Sequence, residues 1–187
     1  MNNSTAGVTL NAAFINDVLS AYPKHQEYYA DLFEIAEGLD LSKPDNKLPM
    51  EVYNDLCAWI EENLGEYNLR QLGRRIGETA YGGMVANNLI TKDSTPLQVM
   101  EALKTVASLM IQDPEGRGWE IIETQERKII MRRTQTFNSV LQFGLLEGLM
   151  QKAGVRNLSV SYQSEVAKGA EFDEYVITWL SQKQVTS

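Results

Sequence analysis

The sequence predicts an α+β domain in which an N-terminal helical part is followed by a β-hairpin, a helix and a second β-hairpin, the two hairpins forming one four-stranded antiparallel sheet. Apolar residues recur at helical spacing through residues 1–112, which we expect to be mainly helical. They alternate as in strands through 113–187, apart from a helix predicted at 137–152. The length of 187 residues and the apolar fraction of 43% suit one domain, so 1–187 is treated as a single unit.

The first three helices are predicted from prolines and apolar spacing. The first begins after a cap at Thr9 or Asn11 and stops at Pro23, and a second is expected over 24–37. After the polar loop DLSKPDNKLP, Pro49 opens a third helix. The apolar side of that helix carries Val52, Leu56, Trp59 and Ile60.

Two further helices follow in the N-terminal part. The stretch YNLRQLGRRIGETAYGGMVANNLI has helical periodicity despite its glycines, which indicate close packing, a kink or room for another group. The next helix has a clear start, because Thr95 and Gln98 form a capping-box pattern with Pro96 at the first helical position. Its buried face is expected to carry Val99, Leu103, Val106 and Met110.

The sheet is predicted from four short strand-like runs. WEIIET and KIIMRRT are joined by QER as a hairpin, and VRNLSVSYQ and FDEYVITWL supply the second pair. Between the pairs lies TFNSVLQFGLLEGLMQKAG, which has apolar residues on two sides and ends at Gly154. We expect this helix to be sandwiched between other elements.

Composition limits the function classes. A net charge of −8 and a pI near 4.8 weigh against a nucleic-acid surface, because such surfaces depend on clustered Lys and Arg. The N-terminus lacks the pattern of a signal peptide, and no apolar run is long enough to cross a bilayer. We therefore expect a cytoplasmic protein with no nucleic-acid partner and no membrane span.

Residues for catalysis are scarce. His25 lies in a polar setting and is expected to be a solvated surface side chain, and Cys57 lies in a helical pattern as an inert buried thiol. With one histidine and one cysteine, the usual catalytic triads lack members. Neither of the two common glycine-rich phosphate-binding motifs is present. We predict that the chain is not an enzyme and holds no metal.

The C-terminal part contains the two glycine-bearing stretches FGLLEGLMQKAG and EVAKGAEFDEYVITW, and LRQLGRRIGE lies before them. The first two stretches resemble the 4-vinyl-reductase family of small-molecule-binding domains, whose fold is shared with heme nitric-oxide/oxygen-binding (H-NOX) domains and TRAPP vesicle-tethering subunits. The third stretch is similar to a related group of bacterial proteins. The residues that match the family pattern are Gly144, Glu147, Gly148, Gly169 and Tyr175. Two cysteine positions of that pattern hold Glu165 and Asp173, so any thiolate chemistry of the family is not implied.

Glu165 and Asp173 have two interpretations. If the resemblance holds, they flank a hairpin turn centred near Gly169, whose missing Cβ permits a positive φ, and both carboxylates are solvated rims of that turn. Alternatively, the pair could serve a hard cation such as calcium or magnesium, which would need further ligands.

The resemblance to H-NOX domains raises heme as a ligand. Placing the family's glycine-rich helix on Gly144 to Gly148 brings its propionate-binding Tyr-x-Ser-x-Arg onto Arg132, Thr134 and Thr136, where only a small hydroxyl position is kept. The axial histidine would fall near Leu103, where there is none. We therefore expect no cofactor, with heme disfavoured.

Two features could serve contacts between elements or between molecules. Gly144 and Gly148 form a G-x-x-x-G pattern, which allows either close packing on the chain's own sheet or a dimer contact. The second apolar side of helix 137–152 and the pairing of related domains favour a homodimer. Arg74 and Arg75 are expected to form surface pairs with Glu78.

The predicted function is a non-enzymatic sensory or regulatory module that binds an apolar small molecule, a signalling protein partner, or both. The alternatives are a scaffold or dimerisation domain with a filled core and a heme-dependent gas sensor. The resemblance places a ligand between the helix at 95–111 and the strands at 118–134, with Arg132 at the mouth to meet a carboxylate or phosphate. The predicted pocket residues are Met84, Val99, Leu103, Val106, Met110, Ile130 and Arg132. The competing hypothesis is that these side chains simply fill the core.

Overall fold

The computed structural model describes residues 4–134 and 137–182. Within that part, the helices are α1 (Ala12–Leu19), α2 (Ala30–Glu34), α3 (Met50–Leu64), α4 (Glu66–Ala86), α5 (Pro96–Met110) and α6 (Ser139–Lys152). The strands are β1 (Thr9–Asn11), β2 (Lys47–Pro49), β3 (Ile111–Gln112), β4 (Trp119–Gln125), β5 (Lys128–Arg133), β6 (Val155–Arg156), β7 (Ser159–Ser164), β8 (Asp173–Thr178) and β9 (Ser181–Gln182). The predicted α+β class is confirmed.

The main sheet has four antiparallel strands, as the sequence predicts, and their order is β4-β5-β8-β7. Alternation along β5 gives the sheet two different faces. Ile129 and Met131 belong to the hydrophobic core, whereas Ile130 and Arg132 point to the opposite face. Met131 pairs with Tyr175 across the strands, so the core face is continuous from β5 to β8.

Two small sheets were not predicted. Strands β2, β1 and β3 form a three-stranded antiparallel sheet, and β6 pairs with β9. These strands have only two or three residues each, too few for an alternating pattern to stand out in the sequence.

The predicted helix over 24–37 is largely wrong. The chain forms a 3₁₀ turn over Glu27–Tyr29 and then only the short α2. Tyr29 has φ −100° and ψ 7°, values outside the α-helical range, and this interrupts a continuous helix. Most side chains before Ala30 are exposed, so tertiary packing does not support a longer helix there.

The predicted start of α5 is confirmed, and that of α6 moves by two residues. The Thr95 hydroxyl accepts from the Gln98 backbone N–H, and the Gln98 side chain accepts from the Thr95 backbone N–H at 2.8 Å. In α6, the Asn138 side chain accepts from the backbone N–H groups of Val140 and Leu141. The helix therefore begins at Ser139 instead of 137.

Helix α6 is buried between α4 and the main sheet, as its two apolar sides predict. On the sheet side, the Phe143 ring lies 5.1 Å from the Tyr162 ring and 6.4 Å from the Tyr175 ring. On the other side, Gly144 and Gly148 meet the backbone of α4. The glycine pattern thus serves close packing within the chain, but against a helix and not against the sheet. The apolar face that favoured a homodimer is covered by the chain itself.

Candidate functional site

A cavity of about 320 Å³ lies among α1, α3, α4, α5, α6 and β4. Small residues on three of the helices leave this space open, namely Ala13, Ala80, Gly83 and Ala107. Its apolar wall consists of Phe14, Tyr53, Ile76, Met84, Leu103, Val106, Met110, Trp119, Phe137 and Leu145, with Leu89 and Ile111 beside them. Gly83, Asn87 and Leu89 are exposed, which sets the opening beside the end of α4.

Four of the seven predicted pocket residues line this cavity together: Met84, Leu103, Val106 and Met110. They come from α4 and from one face of α5, where positions 103, 106 and 110 follow helical spacing. Val99 lies in the core away from the cavity wall, and Ile130 is buried outside the wall as well.

Arg132 does not lie at the mouth of the cavity. Since Met131 faces the helices, its neighbour Arg132 must face the other side of the sheet. There its guanidinium contacts the Glu174 carboxylate at 2.8 Å and lies 4.9 Å from the Phe172 ring. The predicted pairing of Arg132 with a carboxylate or phosphate head group at this cavity is therefore corrected.

Five polar residues of the wall were not predicted: Asp17, Tyr53, Thr79, Asn87 and Gln142. Asp17 is exposed at the rim, and partial burial of its carboxyl raises its pKa. Gln142 is only 5% exposed, and Tyr53 only 1%. The signal for Gln142 was available, because it is a polar residue inside a helix predicted to be apolar on two sides.

Glu147, a residue of the family pattern, holds α4 and α6 together. Arg70 reaches it through Nε at 2.9 Å and through a second nitrogen at 2.5 Å, and Arg74 reaches it at 2.7 Å. Burial alone would raise the pKa of Glu147, but the hydrogen bonds from both arginines outweigh it and lower that pKa. Arg74 thus pairs with Glu147 and not with Glu78, which contacts Lys152 at 3.2 Å.

The burial of Asp173 shows that the expectation of two solvated carboxylates, Glu165 and Asp173, is wrong for Asp173. Asp173 is fully buried, and its carboxylate lies 2.5 Å from Arg133 and 2.6 Å from the Ser139 hydroxyl. Glu165 pairs with the exposed Lys168. Gly169 has φ +92°, as a glycine-specific turn requires, although it ends a 3₁₀ turn over Val166–Lys168.

The propionate-binding positions of the H-NOX resemblance are dispersed. Arg132 lies on the open face of the sheet, and the Thr134 hydroxyl exchanges hydrogen bonds with the backbone of Gly118. Thr136 lies outside the described residues. In the described part of the chain, no three His, Cys, Asp or Glu side chains cluster as a metal site, and no helix is long and apolar enough to cross a membrane.

Comparison with known proteins relates this chain to one fold. No family model matches the sequence, and no curated protein matches it. Solved structures do match: an H-NOX protein from S. oneidensis in the Fe(II)NO state has a TM-score of 0.69 and 13% identity over 92% of this chain and 100% of that chain. An H-NOX variant from K. algicida in the unliganded Fe(II) state has a TM-score of 0.63 and 13% identity over 92% and 97%. A third match, from work on heme distortion in the H-NOX family, has a TM-score of 0.61 and 13% identity over 100% and 99%. The chain has the H-NOX fold.

This comparison supports the H-NOX side of the predicted fold group, while the 4-vinyl-reductase assignment stays a prediction. It also corrects the expectation that no cofactor is bound, with heme disfavoured. The similar structures are H-NOX proteins described by their Fe(II) states and by their heme.

The cavity wall fits heme in part. Heme iron is held in proteins by His, Cys, Met or Tyr. Neither histidine nor cysteine lines the cavity, but Met84, Met110 and Tyr53 do. Two of the four ligand types are thus present on an otherwise apolar wall.

Proposed function

We propose that this chain is a non-enzymatic sensory module that binds a small, largely apolar guest in the cavity between α4 and α5, with heme as the guest that the fold suggests. The observation that supports the proposal is the apolar cavity itself, whose volume of about 320 Å³ falls in the range of small-molecule sites. A domain with a filled core would leave no such space.

If heme is the guest, Met84, Met110 or Tyr53 would hold its iron, and the surrounding apolar residues would enclose the ring. When bound, heme supplies an iron centre that takes up diatomic gases. The protein's own contribution is a wall that excludes water and leaves few donors near the iron. Sensing would then be passed to a signalling protein, in the manner of the 4-vinyl-reductase type of ligand-binding module.

The proposal includes no catalytic step. His25 is exposed, and burial raises the pKa of the Cys57 thiol far above its ordinary value, which keeps that thiol protonated. The chain holds no other histidine or cysteine.

Two titrations of the purified chain test the proposal. Hemin binding is followed by its visible absorption, and binding of naphthylmethanol, a neutral apolar probe, is followed by calorimetry. We expect at least one of them to bind with a stoichiometry of one. Met84→Leu and Met110→Leu should alter the hemin spectrum if these sulfurs hold the iron, while leaving naphthylmethanol binding within about twofold, since the two side chains have similar volume. Absence of binding by both compounds would overturn the proposal.

A further inference from the structure

Tyr53 and Gln142 line the cavity and bring polar groups to its wall. Among the described residues, neither the Tyr53 hydroxyl nor the Gln142 carboxamide makes a hydrogen bond with the protein. Neither side chain holds a buried atom without a partner, so both polar groups keep accessible surface, where water can satisfy them. A guest that takes the place of this water can bond to both groups.

The charge of the cavity has one sign. Asp17 is the only charged residue on the described wall, and no Lys, Arg or His lies beside it there. Asp17 also forms no ion pair elsewhere in the described chain. Asp17 and Tyr53 line the same cavity, and burial, then the Cys57 thiol and then the charge of Asp17 raise the pKa of Tyr53.

The aromatic rings of the wall and the net charge of the chain also favour a cationic guest. The rings of Phe14, Trp119 and Phe137 line the same space, and aromatic faces attract cations. The whole chain carries a net charge of −8, which draws cations toward its surface. A guest with a carboxylate head would meet the opposite situation, since no cation lines the wall to receive it.

We propose that the cavity selects an aromatic or aliphatic amine, whose protonated nitrogen is bound by the Asp17 carboxylate at the rim and whose polar atoms meet Tyr53 and Gln142 inside. This inference rests on the proposed function, because it names the chemical class of guest for the same cavity, and it places an amine ahead of heme, whose two propionates are carboxylates. It reverses the head-group preference expected from Arg132.

The test compares three compounds with the same ring system, namely naphthylmethylamine, naphthylmethanol and naphthylacetate, by calorimetry on the full chain at neutral pH. The amine, which is protonated there, should bind about tenfold more tightly than the alcohol, because charge-assisted hydrogen bonds are the stronger kind. Naphthylacetate should bind most weakly. If the alcohol binds and the amine binds no more tightly, this inference fails while the proposed function stands. If none of the three compounds binds and hemin does not bind either, the proposed function itself fails.

Two variants test whether Asp17 causes the preference for the amine. Asp17→Asn should reduce the amine affinity about tenfold and leave the alcohol within about twofold. Its thermal midpoint should not fall, because burial disfavours the charged carboxyl. Asp31→Asn is the matched control, since Asp31 is exposed on α2 and lines no part of the cavity. An amine preference kept in Asp17→Asn would overturn the assignment.

Gln142→Leu tests the interior amide with a side chain of similar size. We expect it to weaken binding of both amine and alcohol by about tenfold, because a site built for hydrogen bonds loses one of them. Unchanged affinity for both compounds would mean that water alone satisfies the amide, and this would overturn its role in recognition.

Discussion

At the scale of single residues, Asp173 depends on three donors, two of which come from distant parts of the chain. Its carboxylate accepts from Arg133, from the Ser139 hydroxyl and from the Val166 backbone N–H. Asp173→Asn would leave the Arg133 guanidinium buried without a counter-charge. We expect the free energy of unfolding to fall by about 3–5 kcal/mol, the usual result of breaking a buried ion pair. Urea denaturation measures it.

Glu165 provides the control for that variant. It is near Asp173 in sequence but pairs with Lys168, whose side chain is 75% exposed. Glu165→Gln should change the free energy of unfolding by less than about 1 kcal/mol, because surface pairs contribute little. Equal losses from the two variants would contradict the different roles that we assign to them.

Glu147 should make stability depend on pH. Its folded pKa is lowered by the hydrogen bonds from Arg70 and Arg74, which outweigh burial, from an ordinary value of 4.5. Its contribution is therefore complete above about pH 4.5 and is lost as the pH falls through the folded pKa. Glu147→Gln should cost about 1–3 kcal/mol at pH 7, the usual value of hydrogen bonds to a charged group, and less near pH 3. Urea midpoints at the two pH values test this, and a loss that is equal at both would count against it.

Features that depend on neighbouring residues were predictable from the sequence, whereas contacts between distant residues were not. The glycine turn at Gly169 was predictable, because its chemistry is local. The burial of Asp173 was not, because its partners Arg133 and Ser139 are 40 and 34 residues away along the chain. Gln142 lies between these cases: its sequence context marks it as unusual, but only the fold shows that it faces a cavity.

At the scale of elements, the contact between α4 and α6 depends on four glycines: Gly73 and Gly77 on α4, and Gly144 and Gly148 on α6. A Cβ at Gly144 would overlap the backbone oxygen of Arg70, and a Cβ at Gly148 would overlap that of Arg74. The helices would have to separate.

Gly144→Ala should therefore lower the free energy of unfolding by about 3 kcal/mol, the upper end of the usual cost of overpacking, since backbone atoms cannot turn aside. Gly82→Ala on the exposed side of α4 is the matched control. A Cβ there would have no neighbour within 4 Å, and alanine favours the helix by up to about 1 kcal/mol. In both thermal and urea unfolding, the midpoint should fall in Gly144→Ala and rise in Gly82→Ala. Similar shifts of the midpoint in the two variants would refute the proposed contact.

Elements with strong local signals were predicted well. The capping box of α5 and the alternation of the main strands depend on neighbouring residues, so the sequence was sufficient for them. The partner of the glycine pattern in α6 was misassigned to the sheet, although α4 has glycines at the same spacing of four residues. The spacing identifies two close-packing surfaces, but only the fold shows that they meet each other.

At the scale of the whole molecule, the order of elements was enough to predict the α+β class and the four-stranded sheet, because each hairpin is local in sequence. The cavity wall was harder to predict, since it combines residues from five helices and two strands. Three wall residues, Leu103, Val106 and Met110, came from helical spacing on α5, and the resemblance to H-NOX domains placed them, with Met84 as a neighbour, at a ligand site. The polar wall residues Asp17, Tyr53 and Gln142 come from three other helices, whose relative positions no local pattern specifies.

Naphthylmethanol binding to cavity-filling variants tests directly whether the cavity between α4 and α5 takes up a guest. In Leu103→Trp and, on the same wall, Val106→Phe, the larger side chain should occupy the guest's space. Leu109→Trp is the control, because Leu109 lies on α5 but is 70% exposed. Overpacking can cost about 1–3 kcal/mol of stability, so binding is measured at a temperature where unfolding curves show every variant to be folded. We expect the affinity to fall at least about tenfold in both cavity variants, which is about 1.4 kcal/mol or more, and to stay unchanged in the control. Affinity equal to that of the original chain in both folded cavity variants would contradict it.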